Sequence, residues 1–375
     1  MPGIYFHIPF CKQRCYYCDF HTNVVMKNKD QMIIAMKKEL QDRKDFLGNE
    51  EIETIYFGGG TPSVLKIDDI VELMDELNKL FAVHPEAEIT LEANPDDLDP
   101  VYLKELNKTG INRLSIGIQS FYNELLQLLN RRHNAEQAIK SVIEAKEAGF
   151  ENITIDLIYG IPGLTVQMWE KTLDKSFSLP IKHLSAYHLT YEPKTIITNF
   201  RNAGKIKEAD EEVSIEQFEM LIEKSGDHQF IHYEISNFAK KGWFSKHNTS
   251  YWQGKKYLGI GPSAHSFDGT VRLWNVSDNK AYIENVTSNR IYSGSEILTK
   301  QNQFNEYIVT SLRTMWGLDL EYVLKNFGKD YHSDLLQKID KFIKNDKAFT
   351  EKNKIYLTDK GKIISDTIIS ELFMV

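Results

Sequence analysis

The sequence is poor in cysteine. Only 3 of its 375 residues are Cys, and none of them follows Cys18. It also lacks any apolar run near the roughly 20 residues that a membrane-spanning helix needs. The first residues, MPGIYFHIPF, show neither the basic nor the apolar segment of a secretory signal. We therefore expect a cytoplasmic protein, in which clustered cysteines more often indicate a metal or catalysis than a disulfide.

An excess of positive charge is missing as well. The net charge is −8 and the sequence pI is about 5.8, which argues against a general nucleic-acid binder. Residues 296–375 contain 12 Lys and Arg against 12 Asp and Glu, so this region offers no basic face for DNA phosphates. Hydrophobic residues make up 42% and charged residues 26% of the chain, as in an ordinary globular protein.

Short β-branched or aromatic runs alternate with stretches of helical period. The predicted strands cover residues 3–8, 53–57, 88–92, 113–118, 153–159 and 183–189. The predicted helices between them cover residues 29–46, 68–82, 100–109, 121–129, 134–148 and 166–177. Repeated strand–helix units imply parallel strands with right-handed crossovers, whose functional sites gather at the carboxyl ends of the strands. The sequence thus predicts an α/β fold, a partial (β/α)6 TIM-like barrel.

A different rhythm follows this pattern. A helix near 208–226 and a strand near 229–235 leave the closure of the barrel open. The last part of the chain shows three helical patterns, two short strand candidates (AFTEK and KIYL) and a closing helix from Thr358, which suggests a winged-helix-like module. We therefore divide the chain into a barrel domain, a connecting region and a winged-helix-like domain, at 1–235, 236–295 and 296–375.

The three cysteines lie close together with the spacing Cys-x3-Cys-x2-Cys, at Cys11, Cys15 and Cys18. Thiolates are soft ligands that favour zinc or iron–sulfur clusters. In a 4Fe–4S cluster, three cysteines bind three irons and leave the fourth iron free for another ligand. Two alternatives stay open: a Cys3His zinc site completed by His7 or His21, and a disulfide with one thiol left over.

This cysteine motif at the end of a first strand, with Tyr17 just before the last cysteine, resembles the radical S-adenosylmethionine (SAM) superfamily. The resemblance implies that the amino and carboxylate groups of the methionine moiety chelate the free iron. An electron from the cluster then breaks the sulfonium C–S bond. Tyr5 and Tyr17 are expected to border this cofactor.

Later motifs fit SAM binding. GGGTPS at 58–63 follows the strand ETIYF directly, and consecutive glycines let backbone approach a ligand closely. We expect Gly59, Gly60 and Thr61 to contact the cofactor. Polar residues at later strand ends complete the set, with Glu92, Gln119 and Asp156 for ribose or amino hydrogens and Arg131 for the carboxylate. Each of these residues alone also fits a structural hydrogen bond.

The resemblance narrows to one group and covers nearly the whole chain. YxHIPFC, FGGGTPS, LEANP, SIGIQSF, IDLIYGIPG and YEISNFA are similar to the coproporphyrinogen oxidase-like group, which includes the HemW branch of haem chaperones. Oxidases carry CxxxCxxCxC, and here Phe20 stands in place of the fourth cysteine. The motif tyrosine is already Tyr5, so the extension that oxidases carry ahead of it is expected to be absent. The resemblance favours the chaperone branch and leaves an oxygen-independent coproporphyrinogen III dehydrogenase as the alternative.

The segment KHNTSYW, residues 246–252, resembles a haem-associated motif, HNxxYW. His247 offers an imidazole to haem iron, and Tyr251 and Trp252 offer flat apolar surface to a porphyrin. His265, in GIGPSAHSF, is a second candidate ligand. The alternative is a structural loop. The resemblance implies a partnership with haem and with apo-haemoproteins, such as membrane-bound respiratory enzymes, and a location in the cytoplasm or at the membrane periphery.

Overall fold

The computed structural model describes residues 2–374, and its centre is a set of six parallel strands. These strands, β1–β6, are Gly3–Ile8, Ile52–Gly59, Val83–Ala93, Arg113–Gln119, Asn152–Tyr159 and His183–His188. Each strand pairs in parallel with the next one along the chain. The six predicted strands are therefore confirmed, in the predicted order and with the predicted direction.

Helices connect these strands. The helices α1–α6 are Lys29–Asp42, Ile67–Leu80, Pro100–Leu106, Asn123–Leu128, Ala135–Glu147 and Val166–Ser178. The helix α2 buries Ile70, Leu73 and Leu77, which recur on one helical face. The helix α5 begins at a capping box, in which Asn134 and Gln137 bond to each other's backbone N–H groups. These local signals explain why the sequence predicts the helices well.

The alternation of side chains along the strands produces a polar inner face. On β5, Ile153, Ile155 and Leu157 are fully buried against the helices, whereas Thr154 and Asp156 point to the other side of the sheet. The other parallel strands show the same division. The concave side of the sheet therefore carries hydroxyl and carboxylate groups, and the convex side carries the hydrophobic core.

One edge of the sheet continues beyond β6. Helices α7 (Ile196–Asn202) and α8 (Glu211–Asp227) lead into β7 (Phe230–Glu234) and β8 (Asn237–Lys240). The strand β8 pairs antiparallel with β6, and β7 lies outside it at the edge of the sheet. The predicted strand near 229–235 therefore extends the sheet and does not close a barrel.

The other edge grows from residues 246–297. In chain order these residues form α9 (Lys246–Trp252), β9 (Tyr257–Ile260), β10 (His265–Phe267), β11 (Val271–Asn275), α10 (Asn279–Thr287) and β12 (Ser293–Ile297). The strand β9 pairs in parallel with β1, and β10–β12 follow as antiparallel neighbours. Across residues 2–374 the sheet has twelve strands, and no pairing joins β12 to β7. The sheet is thus an open, partial barrel.

The C-terminal module has its own small core. Its elements are α11 (Lys300–Leu312), β13 (Leu318–Asp319), α12 (Leu320–Phe327), α13 (Lys329–Lys344), β14 (Ala348–Glu351), β15 (Lys354–Leu357), α14 (Asp359–Ile363) and α15 (Ser365–Leu372). The predicted hairpin is β14–β15, and β13 adds a third strand. The predicted closing helix is wrong in one respect, because Ile364 leaves the helical conformation and divides it in two. The boundaries at 235 and 295 remain predictions.

Candidate functional site

A cavity of about 620 Å³ opens at the carboxyl ends of the parallel strands, and we call it the strand-end cavity. All six strands contribute to its wall, through Tyr5, Tyr56, Glu92, Ser115, Asp156 and Ser185. Fourteen of the fifteen residues predicted as ligands or cofactor contacts line it, namely Cys11, Cys15, Cys18, Tyr5, Tyr17, Gly59, Gly60, Thr61, Glu92, Gln119, Arg131, Asp156, His247 and Tyr251. The fifteenth, Trp252, lines a second cavity, and so does His265, the second candidate haem ligand.

The cysteine loop between β1 and α1 forms one wall of the strand-end cavity and is fastened to the barrel. The backbone N–H of Cys11 donates to the carbonyl of Asn23 (3.0 Å), and Asn23 donates in turn to Pro9 (2.8 Å). The side-chain amide of Asn130, in the turn that follows α4, donates to the Arg14 carbonyl (2.8 Å). A loop of this length has little core of its own, so these bonds fix its position.

The thiols of the loop meet polar groups of the cavity. The Thr61 hydroxyl donates to Cys11 Sγ (3.3 Å), and Arg131 Nη1 donates to Cys15 Sγ (3.2 Å). Burial raises the pKa of the Cys11 thiol, and it raises the pKa of the Cys18 thiol to about 11. The Cys11 and Cys18 thiols are therefore protonated unless a bound metal deprotonates them, as coordination does.

The alternative of a Cys3His zinc site finds no support in the positions of the two candidate histidines. His7 Nε2 is hydrogen-bonded to the His21 carbonyl (2.9 Å), and His7 Nδ1 to the Tyr5 hydroxyl (3.2 Å). His21 Nε2 is hydrogen-bonded to Asn279 Oδ1 (2.7 Å). Within residues 2–374, no three His, Cys, Asp or Glu side chains converge as a single metal ion requires. The three cysteines themselves line the same cavity.

The glycine-rich turn owes its composition to strand packing as much as to a ligand. A Cβ at Gly60 would lie 2.6 Å from the Phe10 carbonyl, and a Cβ at Gly59 would lie 2.7 Å from the His7 ring. Gly59 also has a φ of +103°, which L side chains rarely adopt. These glycines let β2 lie close to the residues that lead into the cysteine loop, which brings Thr61 to Cys11.

Two carboxylates face the cavity from β3 and β5. Glu92 accepts hydrogen bonds from the Tyr56 hydroxyl (2.8 Å) and the Gly59 N–H (3.2 Å), and Asp156 accepts one from the Ser115 hydroxyl (3.2 Å). Burial, and for Glu92 also the charge of Asp156, raises the pKa of Glu92 to about 7 and that of Asp156 to about 6. They are acceptors suited to hydroxyl or ammonium groups of a bound molecule, whose donors would also relieve their mutual repulsion.

Arg131 is the cation of the strand-end cavity. It donates to the Gly117 carbonyl (2.6 Å), to the Asn94 side chain and to Cys15. Its Nε is buried, with no hydrogen-bond partner among residues 2–374. Burial alone lowers the pKa of Arg131, but the neighbouring Tyr17 and Cys15 raise it above its usual value, so the guanidinium stays charged. It can receive an anionic group in the cavity next to the cysteine loop.

His247 is hydrogen-bonded through both of its ring nitrogens. It lies on α9 and is buried, with Nδ1 hydrogen-bonded to the Thr54 hydroxyl (2.8 Å) and Nε2 to the Tyr251 hydroxyl (2.9 Å). Its ring also stacks on Tyr56, with 4.9 Å between the centroids. Burial lowers the pKa of His247 to about 3. Both ring nitrogens are thus engaged, and an iron could bind only after one of these bonds breaks.

Four further residues that line the strand-end cavity were not predicted from the sequence. Tyr56, Arg113, Ser115 and Ser185 lie on the same inner face as the predicted residues. Arg113 is buried and donates to the Thr154 hydroxyl (2.6 Å). The two-residue period of the strands could have predicted them. Each lies an even number of positions along its strand from another inward-facing polar residue, and such residues point to the same face.

Comparisons with known proteins agree with this geometry. The family described as "Radical SAM superfamily" matches residues 5–175. The haem chaperone HemW of Bacillus subtilis is 33% identical over 371 residues, which cover 98% of each chain. HemW of Lactococcus lactis is 34% identical, over 99% of this chain and 97% of that one. This chain belongs to the HemW branch of the radical SAM superfamily.

A solved structure supports the fold assignment. Coproporphyrinogen III oxidase (HemN) from Escherichia coli, described as a radical SAM enzyme, superposes with a TM-score of 0.86 at 25% identity. The match covers all of this chain and 90% of that one. The predicted fold class and the resemblance drawn from the motifs are therefore confirmed.

Membership of the HemW branch implies a 4Fe–4S cluster and SAM, and the residues present fit both. The thiols of Cys11, Cys15 and Cys18 lie near the charged Arg131 guanidinium, whose Nε has no hydrogen-bond partner among residues 2–374. No three His, Cys, Asp or Glu side chains among the described residues are arranged for a single metal ion. Glu92 and Asp156 supply acceptors in the same cavity. A cluster chelated by a zwitterionic amino acid needs this combination of soft ligands, one cation and several acceptors.

Proposed function

We propose that this protein is a haem chaperone, which binds haem and hands it to apo-haemoproteins. The observation that carries the proposal is the similarity to HemW proteins, because it runs over almost the full length of both chains. It therefore includes the strand-end cavity, the KHNTSYW helix and the C-terminal module.

The strand-end cavity would hold the resident cofactors. Cys11, Cys15 and Cys18 would bind three irons of the cluster, and Arg131 would face the carboxylate of the methionine moiety. Glu92 and Asp156 would accept hydrogen bonds from the hydroxyl or ammonium groups of SAM. When bound, the cluster supplies an electron to the sulfonium group of SAM. The protein's part is to orient the cofactor and to keep its charged groups paired.

A second candidate function is oxygen-independent oxidation of coproporphyrinogen III, favoured by the likeness to the Escherichia coli oxidase structure. Phe20 weighs against it, because a phenylalanine stands where the oxidase motif has a fourth cysteine. Its side chain is 64% exposed and lines the strand-end cavity and also the second cavity. Anaerobic incubation of reconstituted protein with coproporphyrinogen III, SAM and a reductant separates the candidates. We expect no protoporphyrinogen, and its formation would favour the enzyme.

We also propose where haem is delivered. No helix among residues 2–374 is long and apolar enough to cross a bilayer. The recipients we propose are apo-haemoproteins such as respiratory enzymes docked at the membrane, with the chaperone itself in the cytoplasm or peripheral to the membrane. Co-sedimentation with membrane vesicles, with and without an embedded apo-enzyme, tests this part. Binding to lipid alone would contradict a protein recipient.

The haem proposal is tested by binding and by handover. Protein with a reconstituted cluster is titrated with ferric haem and followed by absorbance. The loaded protein is then mixed with an apo-haemoprotein whose holo spectrum is distinct. We expect saturable binding, followed by growth of the recipient's spectrum. Saturable binding without transfer would indicate a haem-binding protein of another kind, and no binding would defeat the proposal.

A further inference from the structure

A second cavity, of about 850 Å³, lies beside the strand-end cavity, and we call it the aromatic cavity. Its floor comes from the sheet edge that β9–β11 form, and its opposite wall comes from α11 and α12 of the C-terminal module. Its aromatic lining residues are Tyr5, Phe20, Tyr251, Trp252, Tyr257, Phe267, Tyr307, Tyr322 and Phe327. Its volume falls within the range of about 300–1,000 Å³ typical of small-molecule sites.

The aromatic rings form two facing groups. On the sheet side Tyr251 and Tyr257 meet edge to face, with 4.7 Å between centroids. On the module side Tyr307 and Tyr322 lie 4.4 Å apart. Aromatic rings on two opposing walls suit a flat, largely apolar molecule that slides between them. The strand-end cavity also has aromatic rings in its wall, but it adds the carboxylates of Glu92 and Asp156 and the Arg131 guanidinium.

His265 offers an iron ligand to the aromatic cavity. It lies on β10 with an exposed side chain, and neither of its ring nitrogens hydrogen-bonds to any residue between 2 and 374. Its imidazole therefore faces the aromatic cavity with no protein partner that an iron would have to displace. His247, whose two nitrogens are engaged and whose ring lines the other cavity, has no such freedom.

Four charged side chains line the aromatic cavity, the cations Lys255 and Arg272 and the carboxylates Asp19 and Glu306. Lys255 lines the aromatic cavity, is exposed and makes no ion pair with residues 2–374. Arg272 also lines it, paired with Glu306 through two hydrogen bonds of 2.8 and 2.9 Å. A free ammonium at the mouth of an apolar slot can meet a carboxylate without burying an unpaired charge.

We propose that the aromatic cavity is the haem site, with His265 as the axial ligand of the iron and Lys255 facing a propionate. This rests on the proposed function and deepens it, because it assigns haem to a cavity separate from the one that holds the cluster. Trp252 and Tyr251 then contact the porphyrin from α9, while His247 of the same helix holds α9 against the barrel. Phe20 would lie between the two cofactors.

The test uses full-length protein with its cluster reconstituted, titrated with ferric haem and, separately, with metal-free protoporphyrin IX. We expect His265→Ala to weaken ferric haem binding by more than about tenfold, since even indirect changes around a metal ligand cost about 10–100-fold. Its Soret band should shift, and added imidazole should restore the wild-type position. Metal-free protoporphyrin should bind as before, because the aromatic walls remain.

Two further variants complete the design. Trp252→Ala should weaken ferric haem and protoporphyrin alike, because it removes part of the wall. His228→Ala is the matched control, since His228 is exposed at the C-terminal end of α8 and lines neither cavity. Unchanged affinity and spectrum in His265→Ala, with haem bound by wild type, would overturn the assignment and leave the chaperone function standing. Absence of haem binding in wild type would instead defeat both.

Discussion

The strand-end cavity and the aromatic cavity lie side by side and share Tyr5, Asp19, Phe20 and Tyr251, yet they are built in different ways. The first collects polar side chains from consecutive parallel strands, and most of the predicted positions follow from a local motif. The second collects aromatic side chains from α9, from β9–β10 and from the C-terminal module, which are distant in sequence. The comparison indicates that one cavity is made for charged cofactor groups and the other for a flat apolar ligand.

The largest expected effect concerns the strand-end cavity. Cys15→Ser should remove the 4Fe–4S cluster, because two thiolates are too few to retain it. The change should leave the barrel folded, since the loop is held by backbone bonds of Cys11 and by Asn130. Iron content and far-UV circular dichroism measure the two parts. Four irons per chain in the variant would contradict the ligand assignment.

The next effect distinguishes the two cavities through His247. His247→Ala should lower the free energy of unfolding by about 2–5 kcal/mol, since it leaves the Thr54 and Tyr251 hydroxyls unpaired and opens a buried space. The Soret band of bound haem should stay in place. Denaturant unfolding and a haem titration below the unfolding transition provide the readouts. A shifted Soret band in a stable variant would return the ligand role to His247.

A glycine pair tests the packing beneath the strand-end cavity. Gly59→Val should destabilise the protein more than Gly163→Val does. Both residues have positive φ, which costs a side chain about 1–3 kcal/mol, but only Gly59 has the His7 ring in the way. The additional loss should be about 1–3 kcal/mol. SAM affinity, measured by calorimetric titration, should fall for Gly59→Val alone. Equal losses of unfolding free energy in the two variants would mean that backbone strain alone, and not the clash with His7, destabilises Gly59→Val.

The smallest effect is a pH dependence that belongs to the strand-end cavity. The pKa of Glu92 is raised to about 7, so its stabilising contribution is complete below about pH 4.5 and is lost as pH rises through about 7. Between those values the wild type should lose about 2 kcal/mol of unfolding free energy relative to Glu92→Gln. Exposed Glu124→Gln is the control. If the unfolding free energies of wild type and Glu92→Gln change with pH in the same way, the pKa of Glu92 lies near its usual value.

Much of the fold could be predicted because its signals are local. A few neighbouring residues are sufficient to predict the strand ending in Ile8, the strand carrying Asp156 and the capping box of α5. The edge strands β9–β12 could not be found this way. Each has five residues or fewer, and β9 is a strand because it pairs with β1, about 250 residues earlier. Pairing at that distance leaves no local pattern.

The site shows the same limit. The cysteine motif, the glycine-rich turn and the strand-end polar residues were sufficient to predict twelve lining residues of one cavity. The motif KHNTSYW was predicted as a single haem-contacting unit, but it forms a helix. His247 and Trp252, five positions apart, consequently turn to different cavities. The aromatic rings of Tyr307 and Tyr322 come from the C-terminal module, and only tertiary packing brings them to Tyr251.

The separation of the two cofactors is tested most directly by anomalous diffraction at the iron edge, on crystals of cluster-reconstituted protein loaded with ferric haem. The account predicts two iron sites in each chain. One is a four-iron peak beside Cys11, Cys15 and Cys18, and the other is a single iron within coordination distance of the His265 ring in the aromatic cavity. A single iron bound to His247 within the strand-end cavity, with the aromatic cavity empty, would contradict it.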